Sequence, residues 1–267
     1  MPPRLSLRHA IALGLVQGPT EVFPISSSAH IALLPNLAGW PVAQLDVELR
    51  NSLEVALHAG TVAALLTALR GDLMQALREF DRRTLVAAAL ALAPPALAGY
   101  LLEQRLERRP SASRALAAGL ALGGAAMALA DAGAGTRALA DAGPRDGLAL
   151  GIAQALALLP GVSRNGATLT AARGRRFTRE DAQVISWRVG LPLIAGAATL
   201  KARRLAQHGP PPGATTPLAA GAAAAFISTL ASAPLIRPGR RGRALWPFAL
   251  YRCGLALLVI CRRCPRA

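Results

Sequence analysis

The sequence predicts an all-α polytopic membrane protein: six transmembrane helices plus two re-entrant helix–loop–helix pairs, arranged as an inverted repeat in a single membrane domain, 1–267. Three observations carry this. Hydrophobic residues make up 53% of the chain and charged residues 16%, against about a quarter charged in soluble domains. Several apolar runs approach the roughly 20 residues a helix needs to cross a bilayer. Two polar insertions, "TEVFPISSSAH" at 20–30 and "GVSRNG" at 161–166, are each flanked by apolar stretches too short to span.

Taken in order, "HAIALGLVQG" and "IALLPNLAGW" flank the first insertion and predict a pair that enters the membrane and returns to the same side. Spans follow at 53–69, 84–102 and 114–130, with Pro94-Pro95 kinking the second. "DGLALGIAQALALLP" and "GATLTAARG" form the second short pair, and spans at 184–200, 216–236 and 244–261 follow, the first kinked at Pro192. Abundant Ala and Gly suit close helix packing in lipid. Non-helical backbone at depth requires protein or a wet cavity around it. The halves, about 1–140 and 141–267, share one plan, and "LGLVQ" at Leu13–Gln17 echoes "LGIAQ" at Leu150–Gln154. Three spans per half is an odd number, so the second half is inverted, and such repeats place their sites at the midplane. Lys and Arg divide almost evenly between the two sides, which leaves orientation open. Arg4 and Arg8 before a short apolar run faintly resemble a signal peptide; without a small-x-small cleavage site the segment is read as retained.

A net charge of +16 would point to nucleic acid in a soluble protein. Here the arginines fall between apolar runs, where they anchor loops at anionic headgroups. Aromatics are only 4%, and no recognition motif is present, so nucleic acid is excluded as a partner. Cys253, Cys261 and Cys264 have neither zinc-ligand nor disulfide spacing and read as small apolar filler.

Ionisable residues inside a membrane are expensive and default to function. Glu21, His30, Arg164 and Arg188 stand out. Arg188, near the start of a span, is explained by reaching to the interface. His58 and Glu54 stand at the edge of the third apolar segment and are not assigned; His9 and His208 are expected at the surface. If the two insertions meet, a carboxylate, an imidazole, a guanidinium and several hydroxyls share one pocket. That set suits phosphoryl transfer. Arg164 neutralises phosphate oxygens with a planar fork of donors. Gly161 and Gly166 let backbone amides approach an anion at a helix start. Ser26, Ser27, Ser28, Ser163 and Asn165 add donors. Ser27 is the candidate nucleophile, with His30 its base and Glu21 orienting it or holding a metal. Against this, a serine triplet alone is a common N-cap or turn, and Arg164 alone could anchor a headgroup.

"LGLVQGPTEVFPISSSAH" resembles the first signature of the undecaprenyl-diphosphatase, or bacitracin-resistance protein, family, and "PGVSRNGAT" at Pro160–Thr168 resembles its second. "LEVALHAGTVAAL" and "WPFALYRCGLALLV" are similar to weaker family segments, so the resemblance runs nearly end to end. It implies a multi-pass enzyme of the bacterial inner membrane, its site facing outward. Such an enzyme removes the terminal phosphate of undecaprenyl diphosphate, recycling the lipid carrier of cell-wall synthesis and conferring bacitracin resistance. The resemblance carries Glu21, Ser26, Ser27, His30, Ser163 and Arg164 as functional positions, and adds Gln17, Ser28, Asn165, Gly166 and Thr168 to the expected phosphate-binding set. It also implies a divalent cation, Mg²⁺ or Ca²⁺, with Glu21 as ligand. Membrane lipids are further expected contacts, and a homodimer is left open. The chain departs from the pattern at Gln17, where the family has Glu; at Ala29, usually Gly; at His58, commonly Gln; and at Asn165, usually Ser. An amide at position 17 weakens a hard-cation site. The alternative reading is a prenyl-phosphate lipid transporter or flippase, or a weakly active homologue, since broken helices in inverted repeats are also transporter architecture.

Overall fold

The computed structural model describes residues 4–108, 113–236 and 242–262, with backbone only for 103–108 and His208. Cys264 and the His208 side chain therefore lie outside the described residues, whose named elements are all helices, without a named strand. In chain order the helices are α1 (Leu7–Val22), α2 (Ser27–Leu37), α3 (Val47–Ala68), α4 (Arg70–Arg78), α5 (Arg82–Arg108), α6 (Ser113–Ala132), α7 (Pro144–Leu156), α8 (Arg164–Gly174), α9 (Arg179–His208), α10 (Thr215–Ser232) and α11 (Trp246–Cys261).

Each apolar run of the sequence falls on a helix, but their lengths differ. Among the described residues, three stretches are long and apolar enough to cross a membrane: Arg82–Leu102, Ser113–Ala132 and Thr215–Leu235. α3 and α4 pass that test only together, bent by 65° at Leu69. α9 has the length, 30 residues, but carries charge at both ends. α11 has 16 residues, about 24 Å at 1.5 Å per residue. Capping explains several starts: Asp46 accepts from the Leu49 amide, Ser163 from Gly166 and Thr178 from Asp181. Pro94-Pro95 and Pro192 sit inside continuous helices.

Packing is organised by glycine. α1 lies on α10, and α10 on α3, through Gly14, Gly18 and Gly60, where a Cβ would overlap the facing backbone. α7 lies on α5 in the same manner through Gly147 and Gly151. α6 pairs with α11 and also meets α8, which rests on α9. Close backbone approach of this kind gives dispersion contact where lipid supplies no hydrophobic drive. The large side chains left exposed, among them Leu97, Leu101, Leu122, Leu129, Ile227, Leu257 and Ile260, sit on α5, α6, α10 and the shorter α11.

Two ionic knots tie the ends. Asp131 at the end of α6 accepts from Arg173, Arg179 and the Leu245 amide. Asp146 in the first turn of α7 accepts from Arg137 at 2.8 Å and from Arg175 at 2.7 Å. Burial works to raise the Asp146 carboxyl, but donors from Arg137, Arg175 and the Gly143 amide outweigh it and hold it at about 2. A carboxyl depressed in the folded state contributes stability above the unfolded value of about 3.9, and that contribution is lost as pH falls toward the folded value. Asp146→Asn is expected to lower stability by about 2 kcal/mol at neutral pH. Thermal melts of detergent-solubilised protein between pH 4 and pH 2 should then fall less steeply for the variant than for the wild type.

Candidate active site

The two polar insertions meet. Glu21, in the last turn of α1, accepts from Ser27 Oγ at 2.6 Å through one carboxylate oxygen and from Arg164 Nη2 at 2.7 Å through the other. Both partners of the ion pair are nearly buried, 12% exposed for Arg164 and 8% for Glu21. Ser27 opens α2 and Arg164 opens α8, so two helix N-termini, each with first-turn amides lacking partners in their own helix, face one cleft. The cleft has about 130 Å³ of free volume and is lined by Glu21, Ser26, Ser27, Ser28, Ser163 and Arg164, with Thr20, His58 and Asn165 also at its wall.

Local geometry comes from the residues flanking the helix starts. Ser26 has φ 74, a left-handed conformation unusual for a residue with a side chain, at a cost of roughly 1–3 kcal/mol. It is held there by His30, whose Nδ1 donates to the Ser26 carbonyl at 2.7 Å. That bond makes His30 Nε2 the acceptor, and Tyr251 on α11 donates to it at 2.6 Å. The expected hydrogen bond between Ser27 and His30 is therefore not made: both imidazole nitrogens are engaged elsewhere, and Ser27 donates to Glu21 instead. Arg164 is aimed by α9, lying against Gly190, where any Cβ would overlap its guanidinium, and 5.1 Å from the Trp187 ring centre. Its Nε and Nη1 are buried with no partner in the protein.

The expected phosphate-binding residues divide. Ser26, Ser28 and Ser163 face the cleft, although Ser163 Oγ already accepts from the Gly166 amide. Asn165 spends its amide inside the protein, donating to the Val22 carbonyl at 2.9 Å and accepting from Ser186 at 2.8 Å; it stitches α8 to the first insertion. Thr168 is fully buried with its hydroxyl on α8 carbonyls and Ser186, and Gly166 packs on Arg252. Gln17 is fully buried, and neither side-chain polar atom finds a partner. Gln17, Gly166 and Thr168 thus stand behind the cleft wall rather than on it. His58, unassigned from sequence, lines the cleft with Nδ1 donating to the Glu54 carbonyl at 2.8 Å, while Glu54 lies outside it. Arg188 reaches Glu79, a half-exposed residue, at 3.6 Å. Sequence reasoning missed Ser186, Trp187, Gly190, Tyr251 and Arg252; the last two lie in a segment whose family likeness was visible without a role.

A divalent cation does not fit these residues unaided. Among the described residues no group of three or more His, Cys, Asp or Glu could hold one. Both Glu21 oxygens are committed, and the nearest helical neighbour on the same face, Gln17, is neutral. Hard cations of this class take several oxygen ligands with carboxylate charge among them.

Fold and cleft together define a helical membrane protein in which Arg164, Glu21 and several hydroxyls converge between the starts of α2 and α8. The family model described as bacitracin resistance protein BacA matches residues 10–258, and the chain belongs to that family. It is 40% identical over 261 residues to a protein of Geobacter sulfurreducens named undecaprenyl-diphosphatase, covering 93% of this chain and 95% of the relative. Proteins of the same name from Trichlorobacter lovleyi and Chromohalobacter salexigens are 36% and 35% identical, over 96% and 94% of this chain and 97% of each relative.

The cation question is testable without catalysis. Free Mn²⁺, followed by electron paramagnetic resonance, should remain unbound in the wild-type protein up to about millimolar concentration. Gln17→Glu adds a carboxylate one helical turn from Glu21 and should bring stoichiometric Mn²⁺ binding. Equal binding by both proteins would show that position 17 is no part of a cation site.

Proposed function

We propose that this chain is an undecaprenyl-diphosphatase, hydrolysing the terminal phosphate from undecaprenyl diphosphate to recycle the lipid carrier, and so conferring bacitracin resistance. The observation that carries the reading is the Arg164–Glu21–Ser27 chain at the meeting of two helix N-termini, in a protein whose relatives bear that name. A transporter of prenyl phosphates needs Arg164 but has no use for a hydroxyl hydrogen-bonded to a buried carboxylate.

The reading includes the membrane arrangement. α1–α2 and α7–α8 are the two re-entrant pairs; α3 with α4, α5, α6, α9, α10 and α11 are the six spans; and the halves are inverted copies. The exchange of partners supports it: α1 packs on α10, the second span of the other half, as α7 packs on α5. Gly14 and Gly151, at matching places in the two echoed motifs, both make close backbone approaches. The site faces outward from the bacterial inner membrane.

In the reaction, Arg164 Nε and Nη1 take oxygens of the terminal phosphate, and the amides opening α2 and α8 take others. Ser27 Oγ attacks phosphorus and passes its proton to Glu21, while the bond from phosphorus to the bridging oxygen breaks. Undecaprenyl phosphate leaves as a dianion and needs no proton. Water then cleaves the phosphoserine, its hydroxyl going to the released phosphate and its other proton to Ser27, and Glu21 gives up the proton it took to solvent. His30 keeps the Ser26 turn and hence the aim of Ser27.

Phosphate release from a C55 diphosphate by purified protein tests this. Arg164→Ala should lose both affinity and turnover. Ser27→Ala and Glu21→Gln should lose turnover by about 10²–10⁴-fold, the range for losing a nucleophile's base. His30→Ala should fall less far than either. Wild-type rates in Ser27→Ala would end the nucleophile assignment, and a wild-type protein that binds the lipid without releasing phosphate would favour transport.

A further inference from the structure

Arg252 is the largest fully buried side chain among the described residues, and it has no carboxylate partner there. Its terminal donors go to three backbone carbonyls on three different segments, while Nε is buried without a partner. Nη2 donates to Gly119 of α6 at 3.1 Å and to Gly161 at 3.3 Å; Nη1 reaches Pro24 at 3.5 Å. Pro24 lies two residues before Ser26, and Gly161 two residues before Ser163. One guanidinium therefore holds both polar insertions and a spanning helix at once.

The surroundings are shaped to admit it. A Cβ at Gly123 would overlap Nη2, and a Cβ at Gly166 would stand 2.6 Å from Nη1. Glycine on α6 and glycine in the second insertion thus form the two walls of its slot. Next to it, Tyr251 donates to His30, which fixes the Ser26 carbonyl. Two consecutive residues of α11 therefore reach the first insertion by separate routes, and Arg252 extends that hold to the second. An arginine buried without a counter-charge costs several kcal/mol unless every donor is used. A hydrophobic residue of similar volume would pack at no such cost, so stability alone does not account for an arginine here.

We infer that Arg252 is a positioning residue that sets the distance between the two insertions, and through it the alignment of Ser27 and Glu21 with Arg164. The inference rests on the phosphatase reading for its catalytic consequence, but the coupling of the two insertions is measurable without catalysis. Arg252 does not line the cleft, so it acts through the loops and not on the substrate.

The test uses three variants of the full chain in detergent. Gly123→Ala lies on α6 and touches neither insertion; alanine favours helix, and its methyl displaces the guanidinium. Arg252→Met removes the donors, and Arg252→Lys keeps one charge with a shorter reach. Peptide-resolved hydrogen exchange over 19–30 and 158–168, with melting temperature and separate kcat and KM for phosphate release, forms the readout. Gly123→Ala should keep the wild-type melting temperature, lose protection in both segments together, and lower kcat roughly 10–100-fold, as a small misplacement of reacting groups does. KM should stay within about threefold, because the phosphate donors themselves are intact. Arg252→Met should show the same pattern more strongly, and Arg252→Lys should partly restore it. If Arg252→Met fails to fold, Gly123→Ala decides alone. Unchanged exchange and kcat in Gly123→Ala would overturn the inference. A wild-type protein that releases no phosphate defeats the phosphatase reading instead, and exchange in the two segments then judges the coupling.

Discussion

The ion pair between Arg164 and Glu21 is the contact on which the site depends. It joins a helix start of the second half to a helix end of the first, at 2.7 Å, with both side chains nearly out of water. Burying two such charges costs more than their attraction returns unless further hydrogen bonds complete them. Glu21 is completed by Ser27. Arg164 is not: one terminal nitrogen is used, and Nε and Nη1 are left over. Trp187 and Gly190 hold the guanidinium where those donors cannot turn to other protein acceptors. The pair is therefore satisfied on the carboxylate side and incomplete on the cationic side.

The rest of the fold serves to bring two helix starts to one place. Helices usually meet at 8–10 Å between axes, and four short helices with polar tips could not converge at that spacing without losing their loops to lipid. The glycines of α1, α3 and α7 remove the Cβ at the crossing points, so α10 and α5 lie directly against backbone. That proximity accompanies the meeting of the starts of α2 and α8 at one cleft. The strained Ser26 turn is a local consequence: the chain must reverse within a few residues after Pro24, and His30 returns one hydrogen bond to the carbonyl of the strained residue.

Much of this was legible in the sequence, and what was not has a common cause. Apolar runs marked most of the helices, though not α4, and the cost of buried polar groups paired the two insertions. Glu21 and Arg164 stood out as ionisable residues in apolar surroundings, with Ser27 beside them and the family resemblance pointing to the same positions. Partner choice was not readable. Ser27 and His30 are three apart on one helix, which makes a pair look natural, yet a histidine at that spacing also reaches its own turn's carbonyl, and Tyr251 from the far end of the chain supplies the second bond. Asn165 stands among the expected phosphate donors; Val22, distant in sequence, and Ser186 claim its amide. Arg252, whose donors reach Pro24, Gly119 and Gly161, carried no signal of that role. Each miss concerns a bond made across long sequence separation, which periodicity does not encode.

The balance of charge in the cleft bears on the cation that the family resemblance implies. A diphosphate is strongly anionic, and a site with two carboxylates would repel it unless a cation intervened. This chain has one carboxylate at the site, already neutralised by Arg164, and an amide at Gln17 where the family carries the second. The imidazole of His58, where glutamine is common in the family, adds a group able to carry positive charge but never negative. Arg252 stands behind both insertions with a further positive charge that no carboxylate among the described residues offsets. Removing a negative charge at position 17 also removes the repulsion that a cation would have to overcome. In a low-dielectric pocket each such charge counts for more than it does in water. With an amide at position 17 and an imidazole at position 58, Arg164 is the one guanidinium among the described residues that lines the cleft, so the fixed positive charge that an anion entering there meets is the protein's own.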